Sequence, residues 1–209
     1  DRINKPGRHL PAGKMSVGEA TALTIFLYLC TWLFASFVNP TILILVLIAS
    51  LCTILYSLPP FRLKRHWLSS SLTIAIPRGV LLKVAGLSVV KSIASVEAWF
   101  IGGIFGLFLL GATSTKDFSD MEGDYEDGCK TLPIRFGPRK AIYLIAPFFV
   151  LPFLFLILGV YLQIMTGNAL LIVLLSVVLT FWGIYVCRLM LADPDRLSID
   201  DNHPSWKQM

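Results

Sequence analysis

The chain has 209 residues, of which 56% are hydrophobic and only 15% charged, and its formal net charge is +5 at pH 7. A water-soluble domain carries about 25% charged residues, so this composition excludes an ordinary soluble domain and favours a helical membrane protein. A transmembrane β-barrel is excluded too, because its strands alternate apolar and polar residues in segments of about ten. Nucleic-acid binding is not expected, since no soluble basic face is present to support it.

Six apolar segments come close to the length of about 20 residues that crosses the hydrocarbon core of a membrane. They are predicted at approximately 17–38, 41–57, 68–90, 96–115, 140–162 and 168–191. Asn39-Pro40 predicts a tight turn between the first two segments, and Pro147 and Pro152 predict a kink in the fifth. The sequence therefore predicts an all-α, polytopic helical bundle forming one domain over residues 1–209. Both ends open onto polar sequence without an initiator Met, so we expect truncation at each end.

The basic residues are distributed unequally between the two sides of the membrane. When the loops are assigned alternately, 15 of the 18 Lys and Arg residues lie on the side of the N-terminal stretch. This is the positive-inside pattern, so that side is predicted to be cytoplasmic in a multi-pass protein of the cell membrane. The loop after the fourth span emerges on the same side, so Asp1 can share one cytoplasmic opening with the acids of that loop.

Those acids are Asp117, Asp120 and Asp124, where the fourth span leaves the membrane. Their spacing of i, i+3 and i+7 places them within a sector of about 60° on one continuous helix. Three carboxylates on one face repel each other, and Mg²⁺ relieves this by taking a few carboxylate oxygens together with substrate phosphate. The plain alternative is a solvated acidic loop. A calcium-binding EF-hand is excluded, because its sixth and twelfth positions would hold Tyr125 and Thr131 instead of Gly and Glu.

The motif Asp117-x-x-Asp120-x-x-x-Asp124, followed by the residues KTLPIRFG at 130–137, resembles the second signature of the UbiA-type intramembrane prenyltransferases. The N-terminal stretch DRINKPGRHLPAG is similar to the one that follows the family's first signature, NxxxDxxxD, in which Asp1 would be the last acid. The resemblance implies about nine transmembrane helices around a central cavity. The six spans present here would be the third to the eighth.

The resemblance also implies a reaction. A prenyl diphosphate, from geranyl to geranylgeranyl or longer, would bind through Mg²⁺ held by Asp1, Asp117, Asp120 and Asp124, of which the last three would carry catalysis. The polyprenyl group would pass to a lipophilic acceptor with release of pyrophosphate. The Glu122-Gly123-Asp124 form of the motif resembles branches whose acceptors are geranylgeranylglyceryl phosphate, chlorophyllide or homogentisate-type aromatic precursors of quinones.

Seven further residues are predicted to bind substrate, by resemblance or by their charge and position: Lys5, Arg8, Tyr56, Lys64, Arg78, Lys116 and Lys130. For Tyr56 and Lys64 the alternative is an interfacial aromatic residue beside ordinary positive-inside cations. Arg78 lies within the third span, where a charge costs about 2.5–3.5 kcal/mol, and we expect it to contact an anionic or carbonyl-bearing acceptor. An internal ion pair is the alternative, with Glu97 as its one candidate partner away from the cytoplasmic side.

A membrane transporter that uses the acids as an ion site is the alternative from another class of protein. Transporters usually hold their coupling ions near the bilayer midplane on broken helices. The acids here lie at the membrane edge, which favours the enzyme.

Overall fold

The computed structural model describes Ile3, residues 6–198 and residues 203–208. Asp1 and Lys5, two of the predicted site residues, lie outside the described residues. Within them the chain is helical, and the one strand-like pairing is a bridge between His66 and Lys130. Six helical segments are long and apolar enough to cross a membrane: Val17–Val38, Pro40–Ser57, Trp67–Ser88, Val96–Ser119, Pro138–Tyr161 and Ala169–Ala192. The largest departure from the predicted bounds is at the end of the fourth, which reaches Ser119 instead of residue 115.

The first two spans are single helices with clear starting signals. α1 (Val17–Val38) begins at Ser16, whose side chain forms a capping box with Glu19. α2 (Pro40–Ser57) begins after Asn39, whose side chain accepts a 2.8 Å hydrogen bond from a backbone N–H in the first turn. The Asn39-Pro40 turn therefore ends one helix and starts the next, as its sequence predicts.

The third span is not a uniform α-helix. It consists of α3 (Trp67–Ile74), a π-helix (Ala75–Leu81) and α4 (Leu82–Ser88). A Cβ atom added at Gly79, inside the π-helix, would lie 2.5 Å from the Cα of Gly106 in the next span. The two backbones are therefore in direct contact, and this contact fixes how the π-helix is rotated about its axis.

The fourth span leads directly into the acidic motif. α5 (Val96–Ala112) continues through a turn of 3₁₀-helix into α6 (Lys116–Ser119), and α7 (Met121–Glu126) follows after Asp120. Asp120 has φ −98° and ψ 7°, outside the helical range, so the chain bends there. The prediction that the three acids share one continuous helix is therefore wrong at this residue.

The last two spans pack against each other and close the bundle. α8 (Leu132–Phe136) precedes α9 (Pro138–Ile145), and the fifth span breaks at Ala146 before α10 (Pro147–Tyr161). Ala146 itself keeps helical angles, φ −52° and ψ −42°, and α10 runs without interruption through Pro152, so the kink stays a prediction. α11 (Ala169–Ala192) forms the sixth span.

The largest buried core lies directly behind the acidic motif. It is formed by Phe118, Leu132, Ala141, Ile142, Ile145, Phe149, Val186, Cys187, Met190 and Leu197. The Phe118 side chain is fully buried in this core, with the ring of Trp206 at 6.4 Å between centroids. Since Phe118 immediately follows Asp117, packing of the core holds α6 in place.

A polar cluster joins the loops at the opposite end of the bundle. The backbone N–H of Thr166 donates a 2.8 Å hydrogen bond to the carboxylate of Glu97, and Lys91 forms an ion pair with the same carboxylate. The Lys91 ammonium also donates to the Thr166 hydroxyl at 3.0 Å. Glu97 therefore connects the start of the fourth span to the loop between the fifth and sixth spans.

Candidate active site

A cavity of about 530 Å³ lies between the second, third and fourth spans. Its lining contains two cations, five hydroxyl-bearing residues and four apolar residues. They are Arg78 and Lys116; Thr53, Tyr56, Ser57, Thr73 and Thr113; and Ile74, Pro77, Leu109 and Ala112. None of these lining residues is an acid, so the described wall of the cavity is positively charged.

The acidic motif lies beside the end of this cavity that Lys116 marks. Asp117 follows Lys116 directly and is buried, with 6% of its surface exposed, while Asp120 and Asp124 are half-buried. The backbone N–H of Asp120 donates a hydrogen bond to the backbone carbonyl of Lys116 at 3.2 Å. The backbone N–H of Asp124 donates one to the backbone carbonyl of Asp120 at 3.0 Å. Helical hydrogen bonding therefore continues on both sides of the bend, and the three acids remain on one short stretch of chain.

The electrostatic surroundings of Asp124 show how closely these groups interact. Burial raises the pKa of the Asp124 carboxyl above its ordinary value, and the negative charge of Asp120 adds to the effect. The positive charges of Lys116 and Lys64 oppose it. Two of the predicted substrate-binding lysines are thus near enough to act on the same carboxyl group.

Residues 58–66, here named the basic loop, are attached to the segment that follows the acidic motif. The backbone N–H of Lys130 donates to the carbonyl of Arg65 at 2.7 Å, and that of Trp67 donates to the carbonyl of Lys130 at 3.2 Å. Arg62 and Lys64 each lie 3.5 Å from the carboxylate of Asp127. The two segments form one end of the bundle, here named the acidic end.

The structure places five of the predicted substrate-binding residues in three settings. Tyr56, Arg78 and Lys116 line the cavity. Lys64 pairs with Asp127, outside the three-acid motif, and Lys130 fixes the basic loop through its backbone while its side chain is exposed.

Arg8 differs from the other predicted cations. It is exposed on the N-terminal segment and is not among the described residues that line the cavity. Leu10 of this segment shares an apolar groove with Leu58 of the basic loop, so the N-terminal segment lies at the acidic end. This position is consistent with the prediction that the N-terminal stretch and the loop after the fourth span lie on one side of the bundle.

Apart from that of Tyr56, the hydroxyl groups of the cavity were not predicted from the sequence. Thr53 and Thr73 donate to carbonyl groups of their own helices at 2.9 and 2.7 Å, as Thr residues in apolar helices usually do. The Thr113 hydroxyl is buried and has no hydrogen-bond partner among the described residues. A Thr in an apolar run carries no sequence signal that separates these cases.

The described residues contain no group of three Asp, Glu, His or Cys side chains placed to hold a metal ion by themselves. The donor chemistry of the motif nevertheless fits Mg²⁺, which prefers carboxylate oxygens and typically uses one or two of them with water and substrate phosphate. Asp117, Asp120 and Asp124 supply such oxygens beside a positively charged cavity.

The sequence matches the family model of the UbiA prenyltransferase family over residues 1–199, and the chain belongs to this family. A solved structure described as "Structural and mechanistic insights into the biosynthesis of Digeranylgeranylglyceryl phosphate synthase in membranes" is 26% identical, with a TM-score of 0.65. The match covers 100% of this chain and 69% of that one. The expected family and the all-helical fold are both confirmed.

The curated relatives are named for two kinds of prenyl transfer. A digeranylgeranylglyceryl phosphate synthase from Methanosphaera stadtmanae is 34% identical over 69% of this chain and 51% of its own length. A homogentisate solanesyltransferase from Arabidopsis thaliana is 32% identical over 69% of this chain and 39% of its own length. A second archaeal synthase, from Methanobrevibacter smithii, is 30% identical over 90% of this chain and 67% of its own length. The chain thus spans about half the length of the first relatives it matches.

Proposed function

We propose that the full-length protein is a Mg²⁺-dependent membrane prenyltransferase that moves a polyprenyl group from its diphosphate to a lipophilic acceptor and releases pyrophosphate. The observation that supports this most strongly is a positively charged cavity beside three acids at the end of a membrane span. The family match adds to it. Such a cavity suits a substrate with an anionic head and an apolar chain.

Asp117, Asp120 and Asp124, together with Asp1 of the N-terminal stretch, would hold Mg²⁺ at the acidic end. Bound there, the ion would neutralise the diphosphate and stabilise pyrophosphate as a leaving group. Burial of Phe118 in the adjoining core keeps α6 rigid, so the Asp117 carboxylate is positioned before substrate arrives.

The basic residues would contact the diphosphate directly. Lys116 lies at the junction of the cavity and the acids. The positive charges of Lys116 and Lys64 both act to lower the pKa of the Asp124 carboxyl group. Lys5, Arg8 and Lys130 would complete the positive surroundings of the head group. Charge-assisted hydrogen bonds from these groups are about twice as strong as neutral ones, and they strengthen as negative charge develops on the leaving oxygen.

The reaction then needs the cavity to exclude water. The allylic C–O bond breaks and its electron pair leaves with pyrophosphate; a nucleophilic atom of the acceptor bonds to the same carbon and loses its proton. Ile74, Pro77, Leu109 and Ala112 supply apolar wall along the path of the prenyl chain, while Tyr56 lines the cavity near the end of α2. A dry site prevents water from capturing the electron-poor carbon.

The donor is proposed to be geranyl to geranylgeranyl diphosphate or a longer homologue. For the acceptor we propose geranylgeranylglyceryl phosphate, a homogentisate-type precursor of quinones or a chlorophyllide-like molecule. The names of the archaeal and plant relatives support the first two classes.

Transfer of a radiolabelled prenyl group tests the proposal. Full-length protein supplied with Mg²⁺, labelled geranylgeranyl diphosphate and a panel of these acceptors is expected to give a labelled lipid product. Asp117→Ala and Asp124→Ala variants are expected to lose at least about 100-fold in rate, the loss typical of removing a group that stabilises a developing charge. Glu126→Ala, an exposed acid of α7 outside the motif, is the matched control and should retain wild-type activity. Unchanged transfer by the two Asp variants would show that the site is assigned wrongly.

A further inference from the structure

Arg78 is a charged residue inside a membrane span whose counter-charge is not found among the described residues. It lies in the π-helix of the third span and lines the cavity. A charge within a span is costly unless it is paired or faces a polar space. The group that compensates the charge of Arg78 is therefore relevant to what the cavity binds.

Two other charged residues of the spans, Lys83 and Glu97, have their own partners. Lys83 lies over the ring of Phe105, with its ammonium 4.6 Å from the ring centre. Glu97, the candidate for an internal ion pair with Arg78, is held by Lys91 and Thr166 at the opposite end of the bundle. The internal ion pair considered from the sequence is therefore not formed with Glu97.

The packing of the third span fixes the position of Arg78. Gly79 is pressed against the backbone of Gly106 in α5, where a Cβ atom would meet a Cα atom at 2.5 Å. This contact leaves no freedom to rotate the helix, so its neighbour Arg78 is held beside Ile74 and Pro77 on the cavity wall. π-helical turns of this kind occur frequently at functional sites.

Arg78 also lies apart from the acidic motif along the membrane normal. The cavity wall contributed by the fourth span runs from Leu109 to Lys116, a rise of about 10 Å along the helix. Arg78 follows Trp67, at the acidic end of its span, by about 16 Å of helix. A diphosphate held by the acids would lie near Lys116, so Arg78 is placed for a different anion deeper in the cavity.

We propose that Arg78 selects the acceptor by binding an anionic group on it, a carboxylate or a phosphate monoester, at the deep end of the cavity. The proposal rests on the proposed prenyltransferase function. A neutral carbonyl group would leave the guanidinium charge uncompensated, whereas a two-oxygen anion matches its paired N–H donors. A bound anion therefore supplies a counter-charge that the described residues do not provide, and the offset from the acids leaves room for the reacting carbon between the two anionic groups.

Equilibrium binding of the acceptor, without donor, tests this independently of turnover. The full-length protein in detergent is titrated with homogentisate and its methyl ester, and with geranylgeranylglyceryl phosphate and the corresponding uncharged alcohol. The wild-type protein is expected to bind at least one anion more tightly than its neutral counterpart. The anion that shows the larger preference over its neutral counterpart then identifies whether Arg78 binds a carboxylate or a phosphate monoester.

Substitutions assign the preference to Arg78. Arg78→Gln is expected to weaken binding of the anion by about 10- to 100-fold, the range for a lost charge-assisted hydrogen bond, while binding of the neutral analogue is unchanged. Arg78→Lys should recover part of the affinity, since it restores the charge without the paired donors. Lys83→Gln removes the other cation of the same span and should leave both affinities as in wild type. Binding of the neutral analogue also reports that each variant is folded.

Three results would overturn the inference: equal binding of the anion by wild type and Arg78→Gln, no preference for either anion in the wild type, or an Arg78→Gln variant in which only the KM for the prenyl diphosphate rises. A protein that binds the anion through Arg78 but makes no prenylated product with any donor would instead contradict the proposed function and leave this inference standing.

Discussion

Lys116 belongs to two parts of the site at once. Its side chain lines the cavity, and the next residue, Asp117, begins the acidic motif. Its positive charge also opposes the raised pKa of Asp124. A cation in this position is expected to contact the diphosphate of the donor rather than the acceptor.

Lys116→Gln is therefore expected to raise the KM for the prenyl diphosphate by about 10-fold or more, because one charge-assisted hydrogen bond to the head group is lost. Initial rates measured against donor concentration give this value. Lys140→Gln, an exposed cation of α9, is the control and should leave the KM unchanged. An unchanged donor KM in Lys116→Gln would place this side chain outside the diphosphate site.

At the residue scale, spacing and charge identified the acids but not their surroundings. Asp117, Asp120 and Asp124 follow from a local pattern, which sequence displays directly. The pairing of Lys64 with Asp127 joins residues 63 positions apart, and no local pattern encodes such a contact. For the same reason the sequence shows that the basic loop contains cations, but it does not predict that the carboxylate of Asp127 pairs with them.

The third span is the element whose backbone geometry most affects the proposed site. Its π-helix presents Arg78 to the cavity, and the Gly79–Gly106 contact holds that arrangement. Hydropathy predicts that this segment crosses the membrane because its residues are apolar. It cannot predict the π-helix, since the register depends on packing against α5, 27 residues further along the chain. The bend at Asp120 is similar, because the core around Phe118 fixes α6 independently of α7.

Gly79→Ala is expected to destabilise the protein by about 1–3 kcal/mol, since the added methyl group overlaps the backbone of Gly106. The thermal unfolding midpoint in one detergent measures the change. Gly86→Ala, in α4 of the same span, is the matched control, because nothing lies within 4 Å of its Cβ position. The control should be neutral or stabilising by up to about 1 kcal/mol. Equal midpoints for the two variants would show that the contact does not constrain the span.

At the scale of the whole molecule, the six spans followed closely from hydropathy, because in a membrane helix local composition and burial in lipid are tied together. The cavity did not follow, since it is formed by three spans and its hydroxyl groups resemble any Thr or Ser of an apolar helix. The family resemblance supplied what spacing could not: the expectation that a cavity exists beside the acids.

Which end of the bundle faces the cytoplasm is predicted only from the distribution of the basic residues. Glu126→Cys introduces a thiol at the exposed acidic end, and Gln163→Cys introduces one at the opposite end. A membrane-impermeant maleimide applied to intact cells should label the second and reach the first only after lysis, because the acidic end is expected to be cytoplasmic. The unsubstituted protein is the control for its four native cysteines. Labelling of Glu126→Cys in intact cells would reverse the proposed orientation.

The central claim is that the acids use Mg²⁺ to release pyrophosphate during prenyl transfer. Its most direct test is pyrophosphate formation by the full-length protein with geranylgeranyl diphosphate and an acceptor, before and after chelation with EDTA. We expect one pyrophosphate for each prenylated product, loss of both on chelation, and recovery of both when Mg²⁺ is restored in excess. Undiminished product and pyrophosphate in EDTA would contradict the claim.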